Sequence, residues 1–229
     1  MSSTNRGAKR IEADFYPTPA WATRALFSRL ALAPGSPILD PCAGDGAILE
    51  VAKERGHVVC ANELRKECLA PLTEICGSHV EFGDALGSPR YLWPPNAAVI
   101  TNPPFSLFEA FIDAYVIDRQ PPVAAMLLRL NCLGGQERAA WWHGHEPTAI
   151  LVLPRRPAFV AVCKGRHLKA GTPNVKGCGN SFPVGTRGKC SCGGTICDGT
   201  DSCEYAWFVF DRRVNGLIGI HVIPLEDCK

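Results

Sequence analysis

No stretch of this 229-residue sequence approaches the roughly 18 consecutive apolar residues of a membrane span, and no apolar run follows its charged start. Neither a transmembrane helix nor a secretory leader is expected. The chain should be soluble and cytoplasmic, with no membrane partner and no obligate protein partner. Internal repeats are missing, which leaves out repeat arrays. Charge of one sign is not in excess overall: the net value is +2, which says little about partners. Acids are nearly absent, however, between residues 151 and 200. There Arg155, Arg156, Lys164, Arg166, Lys169, Lys176, Arg187 and Lys189 face Asp198 alone, a local excess of +7. Such a block is either a solvated surface or a phosphate-contacting patch. The dinucleotide fingerprint G-x-G-x-x-G is also absent, as is the Lys-Ser/Thr of a phosphate loop.

What is present is enough for a sizeable core: 46% of residues are apolar. The length suits one domain, or one with an appended module. Strand-like and helix-like runs alternate. Strands are expected over 38–40, 57–61, 80–83, 97–101, 123–130, 149–153, 205–211 and 217–222. Helices are expected over 20–32, 47–55, 64–75, 107–117 and 136–143. This alternation predicts an α/β fold, a mostly parallel twisted sheet with helices on both faces. Ligands of such sheets bind beyond the carboxyl ends of the strands. Residues 163–204 break the rhythm, with six of the twelve cysteines, many glycines and little apolar periodicity. They read as an insertion between strands. The expected division is 14–162 with 205–229 as the main domain, and 163–204 as a Cys-rich element.

The strand ends carry the chemistry. After the first strand comes Asp40-Pro41-Cys42-Ala43-Gly44-Asp45-Gly46. Its glycines permit a tight turn and close backbone approach to a ligand, and the next helix offers its positive end. Asp40 and Asp45 favour a cationic or hydroxyl-rich ligand over a phosphate. After the second strand, Glu63 can accept from two ribose hydroxyls or serve as a helix N-terminal acid. After the third, Asp84 can accept from an adenine amino group or cap a helix. Acids at three consecutive strand ends describe a pocket for a ribose-bearing adenine without phosphates.

The fourth strand ends in Thr101-Asn102-Pro103-Pro104-Phe105. Asn102 offers a carbonyl oxygen, and Pro103 a rigidly aimed backbone carbonyl, since proline fixes φ. Two acceptors side by side can bind both hydrogens of an NH2 group. Phe105 supplies a ring on which a planar base can stack. The plainer alternative is a proline-rich turn that only stops a strand.

Together these pieces resemble the S-adenosylmethionine-dependent adenine-N6 DNA methyltransferases, especially the short forms of phages and mobile elements. The resemblance rests on 14–19 (DFYPTP), 40–46, Glu63, Asp84 and 102–105. The stretches Leu127–Leu130, Leu153–Pro157 and Tyr205–Phe210 add to it, so most of 14–160 and 200–222 is covered. It implies a Rossmann-like methyltransferase fold and methyl transfer to the N6 amine of adenine in DNA, in a bacterial or phage-infected cell. It implies that Tyr16, Pro17 and Thr18 close over S-adenosylmethionine. Asp40, Cys42, Ala43, Gly44, Gly46, Glu63, Asp84, Ala85 and Asn102 would line its site. Asn102, Pro103, Pro104 and Phe105 would form the catalytic corner. A target base inside a duplex would have to be flipped out. Similar corners also serve enzymes that methylate RNA adenine or guanine, or a protein glutamine. A further alternative is an inactive methyltransferase fold acting as a zinc-dependent DNA-binding module.

The insertion has no counterpart in that family. In a reducing compartment, cysteines argue for metal ligation or burial before disulfides. Turns such as Gly177-Cys178-Gly179 and Cys192-Gly193-Gly194 resemble knuckles that wrap thiolates around Zn2+. The expected ligands are Cys178, Cys190, Cys192 and Cys197, with Cys163, Cys203 and then His167 as substitutes; free surface thiols are the alternative. With the basic excess, this element is a candidate target-recognition surface. Trp141 and Trp142 are expected on a packed helix face, and His143 and His145 at the surface, forming no ligand pattern with a near acid. Cys42, Cys60, Cys68, Cys76 and Cys132 are expected as buried thiols, and Cys228 at a frayed end.

Overall fold

A computed structural model of the chain describes residues 17–87, 93–94, 96–164, 181–182, 188–189, 191, 195–200, 203–214 and 219–228. In chain order the elements are α1 (Ala20–Phe27), β1 (Pro37–Asp40), α2 (Ala47–Glu54), β2 (Val58–Glu63), α3 (Leu69–Cys76), β3 (Val80–Phe82) and β4 (Ala98–Thr101). They continue as α4 (Phe108–Ile112), β5 (Val123–Arg129), α5 (Gln136–Trp142), β6 (Ala149–Val152), β7 (Ala158–Lys164), β8 (Ser181–Phe182) and β9 (Gly188–Lys189). The last three are β10 (Thr195–Thr200), β11 (Tyr205–Asp211) and β12 (Gly219–Val222).

Eight strands form the main sheet in the order β3-β2-β1-β4-β5-β11-β6-β12. All neighbours are parallel except β11, which runs antiparallel to β5 and β6. The pleat sends successive side chains to opposite faces, and the core divides accordingly. Ile38 and Trp207 join one apolar cluster with Leu26, Leu49 and Leu72 from α1, α2 and α3. Leu39 and Phe208 join the other, with Phe111 from α4 and Trp142 from α5. Helices therefore cover both faces, as the strand–helix alternation predicts. Trp207 fixes α1 to the sheet as well as filling space: its Nε1 donates to the Ala22 carbonyl at 2.8 Å.

A second sheet of four strands, in the order β8-β7-β10-β9, begins just before the stretch read as a Cys-rich insertion and draws β8, β9 and β10 from it. β7 and β10 pair antiparallel over six register positions, with a bulge at Gly199/Thr200. β7 is an apolar run that the sequence reading left unassigned, whereas β8, β9 and β10 carry no apolar alternation to mark them. The expected helix over 107–117 also differs. It is α-helical only to Ile112 and continues as a π-helical turn, Asp113–Asp118.

Three smaller expectations are corrected. His145 is not a surface residue without an acid: Nε2 lies 2.8 Å from Asp113 Oδ1, Nδ1 lies 2.6 Å from the Trp141 carbonyl, and the ring stacks on Trp141 at 4.1 Å. Asp113 is 32 residues away in sequence, so no local pattern announces the pair. Cys228 is not at a frayed end; its 3-10 turn buries it to 6% exposure against the α1 face. Cys42 is half-buried, whereas Cys60, Cys68, Cys76 and Cys132 are buried. Trp142 is buried among Phe108 and Phe208, and Trp141 packs edge-on to Phe108.

Candidate active site

The loops leaving β1, β2, β3 and β4 surround one cleft. Pro17, Thr18, Asp40, Cys42, Ala43, Gly44, Glu63, Asp84, Ala85 and Asn102 line it. Gly46 lies behind its wall, and Tyr16 lies outside the described residues. The turn after β1 needs its glycines: Gly44 has φ +61° and Gly46 φ +94°. A Cβ on Gly46 would also stand 2.3 Å from Ile75 Cδ1. This fit lets α3 close against the start of α2 and aims the first turn of α2 at the cleft.

Glu63 joins the turn after β1 to the end of β2. Its Oε2 accepts from Gly44 N at 2.6 Å, and its Oε1 accepts from the backbone N and Nε of Arg65, both at 3.0 Å. Oε1 is filled by its two donors, whereas Oε2 keeps a second lone pair, so this brace leaves one acceptor position. Asn62, to which the sequence reading gives no role, performs a second tie. Its buried Nδ2 donates to the carbonyls of Pro41 (3.2 Å) and Gly83 (3.0 Å), holding the loops after β1 and β3 together. A polar residue inside an apolar strand is the signal that could have found it. Asp84 Oδ1 accepts from Leu86 N at 3.0 Å, so it caps a turn and not an α-helix.

Asp40 departs from the simple picture of a fixed negative charge. It is 1% exposed, and burial raises its carboxyl to about 7. The nearby Thr101 hydroxyl and the hydrogen bond from the Cys42 backbone pull that value down, and the Glu63 charge pushes it up. Burial also holds the Cys42 thiol well above its ordinary value, so this thiol is neutral wall. Even so, Asp40, Asp45, Glu63 and Asp84 line the cleft against Arg65 alone among basic residues. That balance suits a cationic nucleoside and disfavours phosphates.

At the β4 corner, Asn102 Nδ2 donates to the buried Thr18 Oγ1 at 3.1 Å. The bond ties the segment before α1 to the corner and orients the amide, with Oδ1 as its acceptor end. Pro103 is buried beside it, and Pro104 lines the cleft while its carbonyl accepts from Leu107 N at 2.9 Å. Phe105 is half-buried on the far side, near Tyr205 (5.5 Å) and Phe159 (6.4 Å). The Arg129 guanidinium lies 4.4 Å over the Phe105 ring. A base stacking on that face would take the place of Arg129. No histidine or lysine lines the cleft among the described residues.

Of the expected metal ligands, Cys178, Cys190 and Cys192 lie outside the described residues. Cys197 lies in β10 opposite Val162, and Cys163 lies in β7 opposite Ile196. No group of three or more metal-ligating side chains occurs among the described residues.

No family model matches the sequence, and no curated protein matches it. Solved structures do. A protein from Agrobacterium tumefaciens described as a predicted O-methyltransferase matches with TM-score 0.50 and 16% identity, over 90% of this chain and 86% of that one. A type I restriction-modification methyltransferase subunit from Streptococcus thermophilus matches with TM-score 0.50 and 15% identity, over 93% of this chain and 47% of that one. A modification subunit assigned to a type I restriction enzyme of Vibrio vulnificus matches with TM-score 0.54 and 16% identity, over 86% of this chain and 44% of that one. This chain thus spans less than half the length of the two restriction-system subunits. At these identities the likeness establishes the fold, a Rossmann-like sheet of the methyltransferase type.

Proposed function

We propose that this chain is an S-adenosylmethionine-dependent methyltransferase acting on the N6 amine of adenine in DNA. One observation carries the reading: the Asn102 corner opens on the same cleft as Glu63, Asp84 and the Gly44 turn. On this reading a nucleoside site and an amine-accepting corner share one cleft. Glu63 would take the ribose hydroxyls, Asp84 the adenine amine, and the acidic lining a positive sulfonium. Bound there, S-adenosylmethionine supplies an electrophilic methyl group.

The chain's own residues do the rest. The adenine N6 lone pair is delocalised into the ring, so the amine is a poor nucleophile. Asn102 Oδ1 and the Pro103 carbonyl accept its two hydrogens, favour a pyramidal nitrogen and return electron density to it. Orientation and fixed dipoles supply most of the rate gain. No strong base is needed, because the proton leaves only after the new N–C bond makes it acidic. This agrees with the lining of the cleft. The DNA and adenine assignments rest on the resemblance of 14–19, 40–46 and 102–105. We propose further that Zn2+ is held by Cys178, Cys190, Cys192 and Cys197, making the second sheet a target-recognition element.

Incubation with methyl-labelled S-adenosylmethionine and duplex DNA, RNA or protein tests the reading. Label in DNA, recovered as N6-methyladenine, is the expected result. Label confined to RNA or to protein glutamine overturns it. Absence of cofactor binding would make the chain an inactive relative.

A further inference from the structure

We infer that Arg155 and Arg156 form a phosphate-gripping edge for duplex DNA beside the target-amine corner. The inference rests on the DNA reading above and adds where the backbone lies. β4, β5 and β6 point the same way, and β11 runs against them. One edge of the sheet therefore carries, in order, the Asn102 corner, Arg129 at the end of β5, Glu204 and Tyr205 at the start of β11, and Arg155-Arg156 just past β6. Leu130 N donates to the Glu204 carbonyl at 3.0 Å and Leu153 N to the Tyr205 carbonyl at 2.9 Å, so these loops are held together.

Charge divides this edge. The β1–β3 half carries Asp40, Asp45, Glu63 and Asp84, with Arg65. The β5–β6 half carries three arginines and Glu204. Arg155 and Arg156 each rest on a partner they can leave at little cost, whereas Arg129 is half-buried. Arg129 lies on Phe105 and donates to the Tyr205 hydroxyl at 2.9 Å. Arg155, exposed, lies 4.3 Å over the Trp21 ring. Arg156 donates to Glu204 Oε1 from Nε at 2.8 Å, in a pair whose side chains are 47% and 55% exposed. Exposed ion pairs and cation–π contacts are weak, whereas a guanidinium fork matches phosphate oxygens. Glu204 neutralises Arg156 until a phosphate replaces it. Contacts of this kind position the duplex, while the corner selects the base.

The test is binding of fluorescent random-sequence duplex DNA to the full-length, metal-replete protein across a salt series. R155A and R156A should each flatten the dependence of log affinity on log salt by about 1. The double variant should bind about tenfold more weakly at low salt and still bind S-adenosylmethionine like the wild type. R155K/R156K should keep the wild-type slope, which a packing role would not allow. E204Q should tighten binding at low salt. If the wild type binds duplex and R155A/R156A binds it with the same affinity and slope, the edge assignment is overturned and the DNA reading stands. If the wild type binds S-adenosylmethionine and no duplex, or binds only RNA, the DNA reading falls and this inference with it.

Discussion

Asp40 sits at the end of β1, and loss of water raises its carboxyl from 3.8 to about 7. The sign of its effect follows. Between those values the unfolded chain is deprotonated while the folded one keeps its proton, so stability falls as pH rises through that window and levels off above it. D40N keeps an acceptor for Cys42 N without the ionisation. Its melting temperature should gain on the wild type from pH 4 to pH 7 and then run parallel; a gain independent of pH contradicts this. Asn102 is the complementary case. N102A should lose methyl transfer while S-adenosylmethionine binding, measured calorimetrically, stays near wild type. At this scale the sequence was informative where residue type and strand-end position coincide, as at Glu63, Asp84 and Asn102. It was silent where the partner is distant, as for His145 with Asp113. It was also silent where the function is a tie between loops, as for Asn62 with Pro41 and Gly83.

Elements set these residues through close packing behind the cleft. A side chain at Gly46 would adopt a strained φ and would have to displace the Cδ1 end of Ile75. G46A should cost about 1–3 kcal/mol in denaturant unfolding. Adding I75A should recover only part of the loss, because the clash is relieved and the strained φ is not. A neutral G46A would contradict the close fit of α3. The π-helical turn after α4 has a similar role at the Asp84 end of the cleft. It places buried Tyr115 so that its hydroxyl donates to the Ala85 carbonyl at 2.9 Å, next to Asp84, while Phe111, stacked on Tyr115, lines the cleft. Y115F should weaken S-adenosylmethionine binding about fivefold, the effect of losing one net hydrogen bond of about 1 kcal/mol. Unchanged binding would show that the Ala85 loop holds itself. Apolar periodicity revealed the helix over 107–117 but not its change of pitch, since the spacing of buried positions barely differs over one turn. The same pattern placed the main-sheet strands within a residue or two, because all but the edge strands β3 and β12 are buried and read as apolar runs.

The whole molecule joins a large sheet, whose two faces are packed, to a small one in a stretch of little apolar periodicity. The large sheet was legible because hydrophobic burial leaves its period in the sequence. β8, β9 and β10 leave almost none, and their order must come from pairing and, on the proposal above, from metal. Purified protein should carry about one zinc per chain, and chelation should unfold the small sheet before the large one. Less than about half an equivalent contradicts that. The central claim is that Asn102 and Pro103 hold a flat NH2 group where a methyl donor can reach it. Modified-base sequencing of DNA from cells expressing the wild type or N102A tests it most directly. The account predicts N6-methyladenine with the wild type and none above background with N102A; equal methylation by both, or a mark on another base, would contradict it.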